Sequence, residues 1–329
     1  MNSLKVAVVG LGKMGLLHAS IFNMMPNVEV VALCDKNSLL LKFVKNVFRR
    51  SQTVKDVEEL SNFNIDCVYV TTPIPAHYPV ISSLYSNKIT SNLFVEKTLA
   101  DSWDKARELT ELAETCGGIN MVGYMKRFAV SFQQAKKLLN QEIIGAVSAF
   151  DACAYSSDFV DIKKGSKGSG SRGGVLRDLG SHVIDLALFF FGDFEVSSAT
   201  VESMGEGDCE DAAHFKVKKL GLGGHFDVSW CMDNYRMPHF GLEIRGDKGT
   251  ISVDDDKVEL MLDGKSKKWY RHDLYDNVNF MLGVPEFYRE DEHFVNSVLS
   301  SNITDLPFLT ASKVDYIIDQ VQKKADVNG

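Results

Sequence analysis

The feature that most restricts the fold is a regular alternation of short apolar runs and amphipathic stretches over the first 125 residues. The apolar runs are "KVAVVG" (5–10), "VEVVALCD" (28–35), "CVYVTT" (67–72), "NLFVEK" (92–97) and "INMVGYM" (119–125). Helical periodicity lies between them, near 14–25, 38–49, 77–87 and 102–116. Continuously apolar strands that alternate with helices form a parallel sheet covered on both faces. The pattern predicts a doubly wound α/β domain over residues 1–124.

The pattern changes after about residue 145. Segments from "AVSAFDACAY" (146–155) to "KVELMLDG" (257–264) are rich in β-forming residues and have few helices between them. Such runs favour a mainly antiparallel sheet. We therefore predict a second, α+β domain over residues 125–329, with a large open sheet. Within it, the polar stretch "KKGSKGSGSRGG" (163–174) is either a flexible surface loop or a mobile active-site lid.

The bulk composition limits the partners. The chain of 329 residues has a formal net charge of -8, and its 45% hydrophobic content is that of a globular protein. Nucleic-acid and anionic-membrane binders usually carry a basic face, so we expect a small-molecule partner, no nucleic acid and no membrane. The six cysteines are scattered and show no metal-ligand spacing, so they read as reduced packing residues, and no metal is predicted. Without a signal peptide or an apolar run of membrane-spanning length, a cytoplasmic location is expected.

The hexapeptide "GLGKMG" places three glycines in GxGxxG spacing directly after the first strand. Gly10 allows a tight turn, Gly12 lets a pyrophosphate approach the backbone, and Gly15 lets helix and strand pack closely. The helix N-terminus that follows offers free N–H groups to phosphates. Asp35 ends the second strand, where a carboxylate can hold the adenosine ribose hydroxyls. A structural turn is the alternative, but this context favours dinucleotide binding.

A carboxylate at Asp35 would repel a 2′-phosphate, which favours NAD, although the adjacent Lys36 leaves NADP possible. Thr71, Thr72 and Pro73 follow another parallel strand, at the sheet edge where ligands bind; a plain turn is the alternative. The predicted cofactor-binding residues are Gly10, Gly12, Lys13, Met14, Gly15, Asp35, Lys36, Thr71, Thr72, Pro73, His77, Glu96 and Lys97.

The segment "RDLGSHVID" (177–185) begins a helix that is too apolar for a protein surface. At α-helical spacing Asp178, His182 and Asp185 share one face. Ionisable groups at the edge of a buried helix are costly to desolvate unless they are paired or used in chemistry. A second charged pair, Glu96 and Lys97, ends the apolar strand in "FVEKTL" and faces the ligand edge of the first sheet. Either pair alone could be structural.

Together these motifs resemble the Gfo/Idh/MocA oxidoreductase family, and the resemblance covers nearly the whole chain. It includes the glycine motif, the Glu-Lys pair, the "RF" at 127–128, the Asp-x-x-x-His motif, the "EIRGDKGTISV" strand pair and the C-terminal helix with its apolar stripe. The resemblance implies a Rossmann domain joined to a domain with a mainly antiparallel sheet. It also implies hydride transfer with NAD(P) on sugars, sugar nucleotides, cyclitols or related carbonyl compounds. The open sheet leads us to expect a homodimer or homotetramer formed through its face.

Carried over to this sequence, the resemblance makes Lys97, Asp178 and His182 the catalytic residues. His182 would take the hydroxyl proton, because histidine titrates near neutrality. Lys97 would stabilise alkoxide character, and Asp178 would orient the pair and hold a substrate hydroxyl. Asp185 is expected to be structural. The sequence departs from the family at Thr98, where relatives have proline. Predicted substrate-binding residues are Lys97, Tyr124, Arg127, Tyr155, Arg172, Arg177, Asp178 and His182; for each arginine, a purely surface position is an equal alternative.

Two other functions fit the same motifs. One is an NAD-dependent glycosidase that cleaves its substrate through transient oxidation, which would release an aglycone without net NADH. The other is a non-catalytic, dinucleotide-sensing protein, against which the joint presence of Lys97, Asp178 and His182 speaks.

Overall fold

The computed structural model describes residues 3–160, 172–203, 209–278 and 285–328. The chain divides into two compact units: Met1–Tyr124 with Val278–Asp315, and Met125–Asn277 with Tyr316–Gly329. Within the described residues, no helix is both long enough and apolar enough to cross a membrane.

The first unit is built on a parallel sheet of six strands. They are β1 (Leu4–Val9), β2 (Val28–Cys34), β3 (Gln52–Val54), β4 (Cys67–Val70), β5 (Leu93–Glu96) and β6 (Asn120–Gly123), in the order β3-β2-β1-β4-β5-β6. The connecting helices are α1 (Lys13–Met24), α2 (Ser38–Val47), α3 (His77–Ser86) and α4 (Trp103–Cys116). The central strands are buried along nearly their whole length. The predicted doubly wound fold is confirmed, with the short β3 as an addition.

The second unit contains a sheet of eight strands. They are β7 (Val147–Tyr155), β8 (Glu195–Glu202), β9 (Ala212–Lys219), β10 (Leu222–Ser229), β11 (His239–Gly246), β12 (Gly249–Asp254), β13 (Lys257–Leu262) and β14 (Lys265–Tyr270). The order is β14-β13-β12-β11-β7-β10-β9-β8, and among the described residues the central pair β7 and β10 is the one parallel pair of this sheet. The predicted mainly antiparallel sheet is confirmed.

Two helices cover one face of this sheet. Helix α5 (Val130–Asn140) packs on β12 and β13, and α6 (Ser181–Phe191) packs on β7 and β11. The strands alternate accordingly: Phe150, Ala152 and Ala154 of β7 are buried, whereas Asp151 and Tyr155 point to the opposite face. That opposite face is rich in charged side chains. Assembly through it remains a prediction.

Residues 278–315, which were expected in the second domain (125–329), belong to the first compact unit. Helix α7 (Pro285–Ser300) packs on α1, and helix α8 (Phe308–Asn328) begins in the same unit. The apolar stripe of α7 explains this position, because Phe294 lies against the rings of Tyr69 and Phe94 in the first sheet. Leu306 then bonds the edge strand β6 by accepting the N–H of Val122 at 3.1 Å.

Candidate active site

The glycine turn after β1 has the geometry that its spacing predicts. Gly10 has a positive φ of +91°, which a side chain would strain. A Cβ on Gly15 would lie 1.9 Å from the carbonyl oxygen of Gly10, so only glycine lets α1 approach β1 this closely. A Cβ on Gly12 would meet no atom within 4 Å. The absence of a side chain at Gly12 therefore leaves open space above the backbone, where a ligand can approach.

Asp35, at the end of β2, organises the same turn. Its carboxylate accepts the N–H of Leu11 at 2.7 Å and the N–H of Asn37 at 2.8 Å. The side chain is half-buried, so part of the carboxylate remains available to a ligand. Asp35 thus connects the glycine turn to the start of α2. These two hydrogen bonds hold in place the backbone over which a dinucleotide would bind.

A cavity of about 420 Å³ opens beside Asp35. The predicted cofactor-binding residues that line it are Gly10, Asp35, Lys36, Thr72 and Pro73. Its volume lies in the range of small-molecule sites, and its walls are mainly apolar with a few charged groups at the rim. The residues present fit the adenosine half of a dinucleotide, with Asp35 placed to accept ribose hydroxyls.

Two of the predicted cofactor-binding residues are buried and hydrogen-bond the loops that form the site. Thr71 is buried, and its hydroxyl donates to the carbonyl oxygen of Gly10 at 2.6 Å. His77 is fully buried, and its ring nitrogens lie 2.9 Å from the carbonyl oxygen of Thr72 and 2.8 Å from that of Thr98. Burial lowers the pKa of His77, although the two carbonyl groups oppose this effect. His77 therefore ties together the loops that follow β4 and β5. Direct contacts of Lys13 and Met14 with the cofactor remain predictions.

Glu96 and Lys97 lie at the carboxyl end of β5, as predicted. The Glu96 carboxylate is largely buried; its Oε1 lies 3.0 Å from Nε2 of His18, and its Oε2 accepts the backbone N–H of Lys97 at 3.2 Å. The peptide bond between Lys97 and Thr98 is cis. The hydroxyl of Thr98 donates to the carbonyl oxygen of Ala100 at 2.9 Å. Glu96 is thus held by protein groups on both of its oxygens.

The segment that carries Asp178 differs from the prediction in one respect. Residues Leu176–Gly180 form a π-helical turn, and the α-helix α6 begins only at Ser181. The π turn has a different number of residues per turn, so Asp178 and His182 are not in a regular α-helical i, i+4 relation. That their side chains share one face remains a prediction. Such π turns inside helices occur frequently at functional sites.

The two predicted catalytic residues of this unit have different surroundings. His182 is only 5% exposed, and its ring meets Phe240 of β11 edge-on, with centroids 5.1 Å apart. Asp178 is partly exposed and forms an ion pair with Arg172 at 3.2 Å. Arg172 also bonds Asp158 at 2.6 Å. The structure thus connects Arg172, a predicted substrate-binding residue, to Asp178.

The π turn is anchored by Glu210, a residue that the sequence did not single out. Its carboxylate accepts the N–H of Leu176 at 3.1 Å, and its backbone carbonyl accepts the N–H of Val175 at 3.0 Å. Burial raises the pKa of Glu210, and the backbone N–H bonds oppose this. A Cβ on Gly174 would lie 2.3 Å from the Glu210 carboxylate, which explains the last glycine before the turn. The proposed lid stretch preceding it lies outside the described residues over 163–171.

Asp185 takes part in a buried ion pair, in agreement with its predicted structural role. Its two carboxylate oxygens accept from the Nε and Nη2 of Arg127 at 2.8 and 2.6 Å, and both side chains are buried. Arg127 is therefore not a surface arginine, and the pair occupies two of its three nitrogens. Its guanidinium also lies over the ring of Phe189. A direct substrate contact by Arg127 remains a prediction.

The other predicted substrate-binding residues are less favourably placed. Tyr155 donates to Asp227 at 2.8 Å on the sheet face opposite α6, so the structure does not bring it to His182. Arg177 is buried, with its charge close to the Glu210 carboxylate. Tyr124 is fully buried. Substrate binding by these three residues remains a prediction. For Tyr155, the position on the opposite sheet face does not favour it.

Besides Glu210, three more residues that contact predicted site residues were not recognised as site residues from the sequence: His18, Asp291 and Phe240. His18 follows the third glycine of the turn by three residues, which was an available signal because the two positions share a helix face. Asp291 interrupts the apolar stripe of α7, and this was a second signal. No sequence pattern distinguishes Phe240 from its apolar neighbours.

A glycine turn with an open approach, an acidic residue that follows β2 and a cavity beside it are the features of a dinucleotide-binding fold. The chain belongs to the Gfo/Idh/MocA family: residues 4–124 match its model described as "Oxidoreductase family, NAD-binding Rossmann fold", and residues 132–252 match the "GFO/IDH/MocA C-terminal domain". It is an NAD-dependent oxidoreductase of this family.

Individual relatives are distant. An inositol 2-dehydrogenase of Rhizobium meliloti is 23% identical over 90% of this chain and 89% of its own length. A myo-inositol 2-dehydrogenase of Thermotoga maritima is 24% identical over 77% of this chain and 75% of its own. A levoglucosan dehydrogenase structure in complex with NADH and levoglucosan superposes with a TM-score of 0.88 at 18% identity, covering 100% of this chain and 98% of the other. This last similarity establishes the fold.

Proposed function

We propose that this enzyme transfers a hydride between NAD and a carbinol or carbonyl carbon of a sugar or cyclitol. The observation that carries the proposal is the π turn that presents Asp178 directly before the buried His182, in a chain whose first unit has the geometry of a dinucleotide site. The family and the names of its relatives, which include inositol and levoglucosan dehydrogenases, support the substrate class.

When bound, the nicotinamide supplies the hydride acceptor or donor, so the protein must manage a proton and the charge on the reacting oxygen. In the proposed reaction, the imidazole of His182 accepts the hydroxyl proton as the C–H bond breaks, and returns it in the reverse direction. The edge of Phe240 against the His182 ring limits rotation of the imidazole. A fixed imidazole is better placed for proton transfer than a mobile one.

Lys97 and Asp178 have supporting roles. The Lys97 ammonium hydrogen-bonds the reacting oxygen and stabilises its developing negative charge. Asp178 holds a neighbouring hydroxyl of the substrate, and its ion pair with Arg172 keeps the carboxylate oriented. The polar neighbourhood formed by Asp178, Arg172 and Asp158 suits a ligand with several hydroxyl groups, because it offers both donors and acceptors.

The test is a screen for NADH formation by the purified enzyme with NAD⁺ and a panel of myo-inositol, scyllo-inositol, levoglucosan and simple glucosides. With any substrate found, His182→Ala should abolish turnover while NADH still binds, because the cofactor contacts predicted here lie in the first unit. His225→Ala, at a half-buried histidine of β10 in the same unit, is the matched control and should retain activity. Turnover by His182→Ala at the level of the unmodified enzyme would contradict the proposal.

A further inference from the structure

A buried histidine of the first unit lies between two carboxylates. Nδ1 of His18 is 2.8 and 2.9 Å from the two oxygens of Asp291, and Nε2 is 3.0 Å from Oε1 of Glu96. His18 and Asp291 are both fully buried, and Glu96 is 9% exposed. The three residues come from α1, α7 and the end of β5. The cluster therefore connects three elements that are far apart in the sequence.

The contacts limit where the protons of the cluster lie. Burial raises the pKa of Asp291, and the charge of His18 and its hydrogen bond oppose this. A neutral imidazole has one N–H, and ionised carboxylates only accept hydrogen bonds. Both contacts can be hydrogen bonds with ionised carboxylates only if His18 is the imidazolium cation. Burial alone disfavours this cation, but the charges and hydrogen bonds of Asp291 and Glu96 outweigh that effect and raise the pKa of His18 well above its ordinary value.

The surroundings of the cluster exclude water. The rings of Phe22, Tyr69, Phe94 and Phe287 lie around the imidazole, with centroids 5.3 to 6.4 Å away. Tyr69 is the other titratable side chain in ring contact with His18, and its pKa is raised well above 10 by burial, by Asp291 and, to a smaller extent, by Glu290. Tyr69 therefore stays neutral at physiological pH, and charge in this region resides on the histidine and the carboxylates.

The cluster acts on the loop that carries Lys97. While Oε1 of Glu96 faces His18, its Oε2 accepts the backbone N–H of Lys97. The sheet order places β5 two strands from β1, on the side opposite β2. Because Asp35 on β2 marks the adenosine side of the glycine turn, the nicotinamide half of a bound dinucleotide extends over β4 and β5. Glu96 and Lys97 lie at that end.

We propose that His18 is a permanently protonated positioning residue: the buried Asp291–His18–Glu96 cluster fixes Glu96, and through it the Lys97 backbone, at the nicotinamide end of the dinucleotide site. The catalytic meaning of Lys97 rests on the proposed function. The positioning is measured through cofactor affinity, without substrate or turnover. A failure of this proposal can therefore be told apart from a failure of the proposed function.

The protonation state is tested by ¹⁵N NMR of the full protein with labelled histidine. Both ring nitrogens of His18 should carry a proton at every pH from weakly acidic to weakly alkaline. The resonances are identified by their loss in His18→Gln. A neutral His18 with one bare nitrogen at neutral pH would overturn the proposal.

The positioning role is tested by comparing NADH with ADP, which lacks the nicotinamide half. In His18→Gln and Asp291→Asn, NADH affinity should fall about tenfold, corresponding to the loss of about one charge-assisted hydrogen bond, while ADP affinity stays nearly unchanged. Leu109→Ala, a buried position on α4 of the same unit, controls for general destabilisation and should affect both ligands alike or neither. Parallel weakening of NADH and ADP in the cluster variants, or no weakening in either, would overturn the proposal. If His18→Gln fails to fold, Asp291→Asn decides the question through the same comparison of NADH with ADP.

Discussion

Replacing Asp35 by asparagine should shift the coenzyme preference from NADH toward NADPH. The carboxylate is half-buried at the rim of the cavity, where the adenosine ribose is expected. A 2′-phosphate carries nearly two negative charges, and at about 5 Å from a carboxylate the repulsion is about 2 kcal/mol in water-like surroundings. Removing the charge therefore strengthens NADPH binding by up to about thirtyfold.

The same change weakens NADH, because the ribose hydroxyls lose a charged acceptor whose hydrogen bonds contribute about 1.5–3 kcal/mol. Asparagine is preferable to alanine for this test. It retains one side-chain oxygen for the N–H of Leu11 or Asn37, so the glycine turn keeps part of its support. The ratio of the NADPH and NADH dissociation constants should therefore fall by at least about tenfold.

The assay is a fluorescence titration of the unliganded enzyme with each reduced coenzyme, which requires no substrate. Asp56→Asn is the matched control, because Asp56 lines the same cavity but is exposed and does not bond the glycine turn. An unchanged ratio in Asp35→Asn would refute the ribose contact. An equal change in Asp56→Asn would show that general charge, rather than the position of Asp35, sets the preference.

Two further predictions follow from the packing. Gly12→Ala should fold normally, because its Cβ would meet no protein atom, and it should weaken NADH binding by filling the space for the pyrophosphate. Gly15→Ala should lower the melting temperature, because its Cβ would collide with the Gly10 carbonyl. Normal NADH binding by Gly12→Ala would count against the close approach of the pyrophosphate. Asp185→Asn should lower the free energy of unfolding by about 3–5 kcal/mol, measured with denaturant, because it leaves the buried Arg127 charge uncompensated. The double variant Asp185→Asn/Arg127→Met should be destabilised by less than the sum of the two single variants. Equal stability of Asp185→Asn and the unmodified enzyme would show that the pair is solvated.

The first sheet could be predicted because its signals are local. Apolar runs of strand length, separated by helical periodicity, specify a parallel sheet without any knowledge of distant contacts. The three-residue strand β3 was missed because such a short segment carries no periodicity. The glycine spacing was informative for a similar reason, since Gly15 is constrained by the backbone of Gly10, only five positions away.

The supporting contacts could not be predicted, because they join residues separated by tens to hundreds of positions. Asp291 lies 273 residues from His18, and Glu210 lies 34 residues from the N–H that it accepts. The assignment of Asp185 to a structural role was possible from burial cost, but its partner Arg127 was not identifiable. The π turn was missed for a different reason: sequence periodicity assumes 3.6 residues per turn, and nothing in "RDLGSHVID" marks the departure.

The late position of α7 in the chain also has a consequence for how the first unit folds. A ribosome that has released residues 1–124 has supplied all six strands of the sheet, yet the helix that covers Tyr69 and Phe94 with Phe294 is still unsynthesised. Until about residue 300 emerges, that aromatic surface is exposed and His18 lacks its counter-ion Asp291. Contacts of such high sequence separation slow folding, and a sheet with exposed aromatic side chains is prone to aggregate until they are covered. We expect a fragment ending at Tyr124 to aggregate, whereas the same fragment joined through a flexible linker to residues 285–315 should remain monomeric.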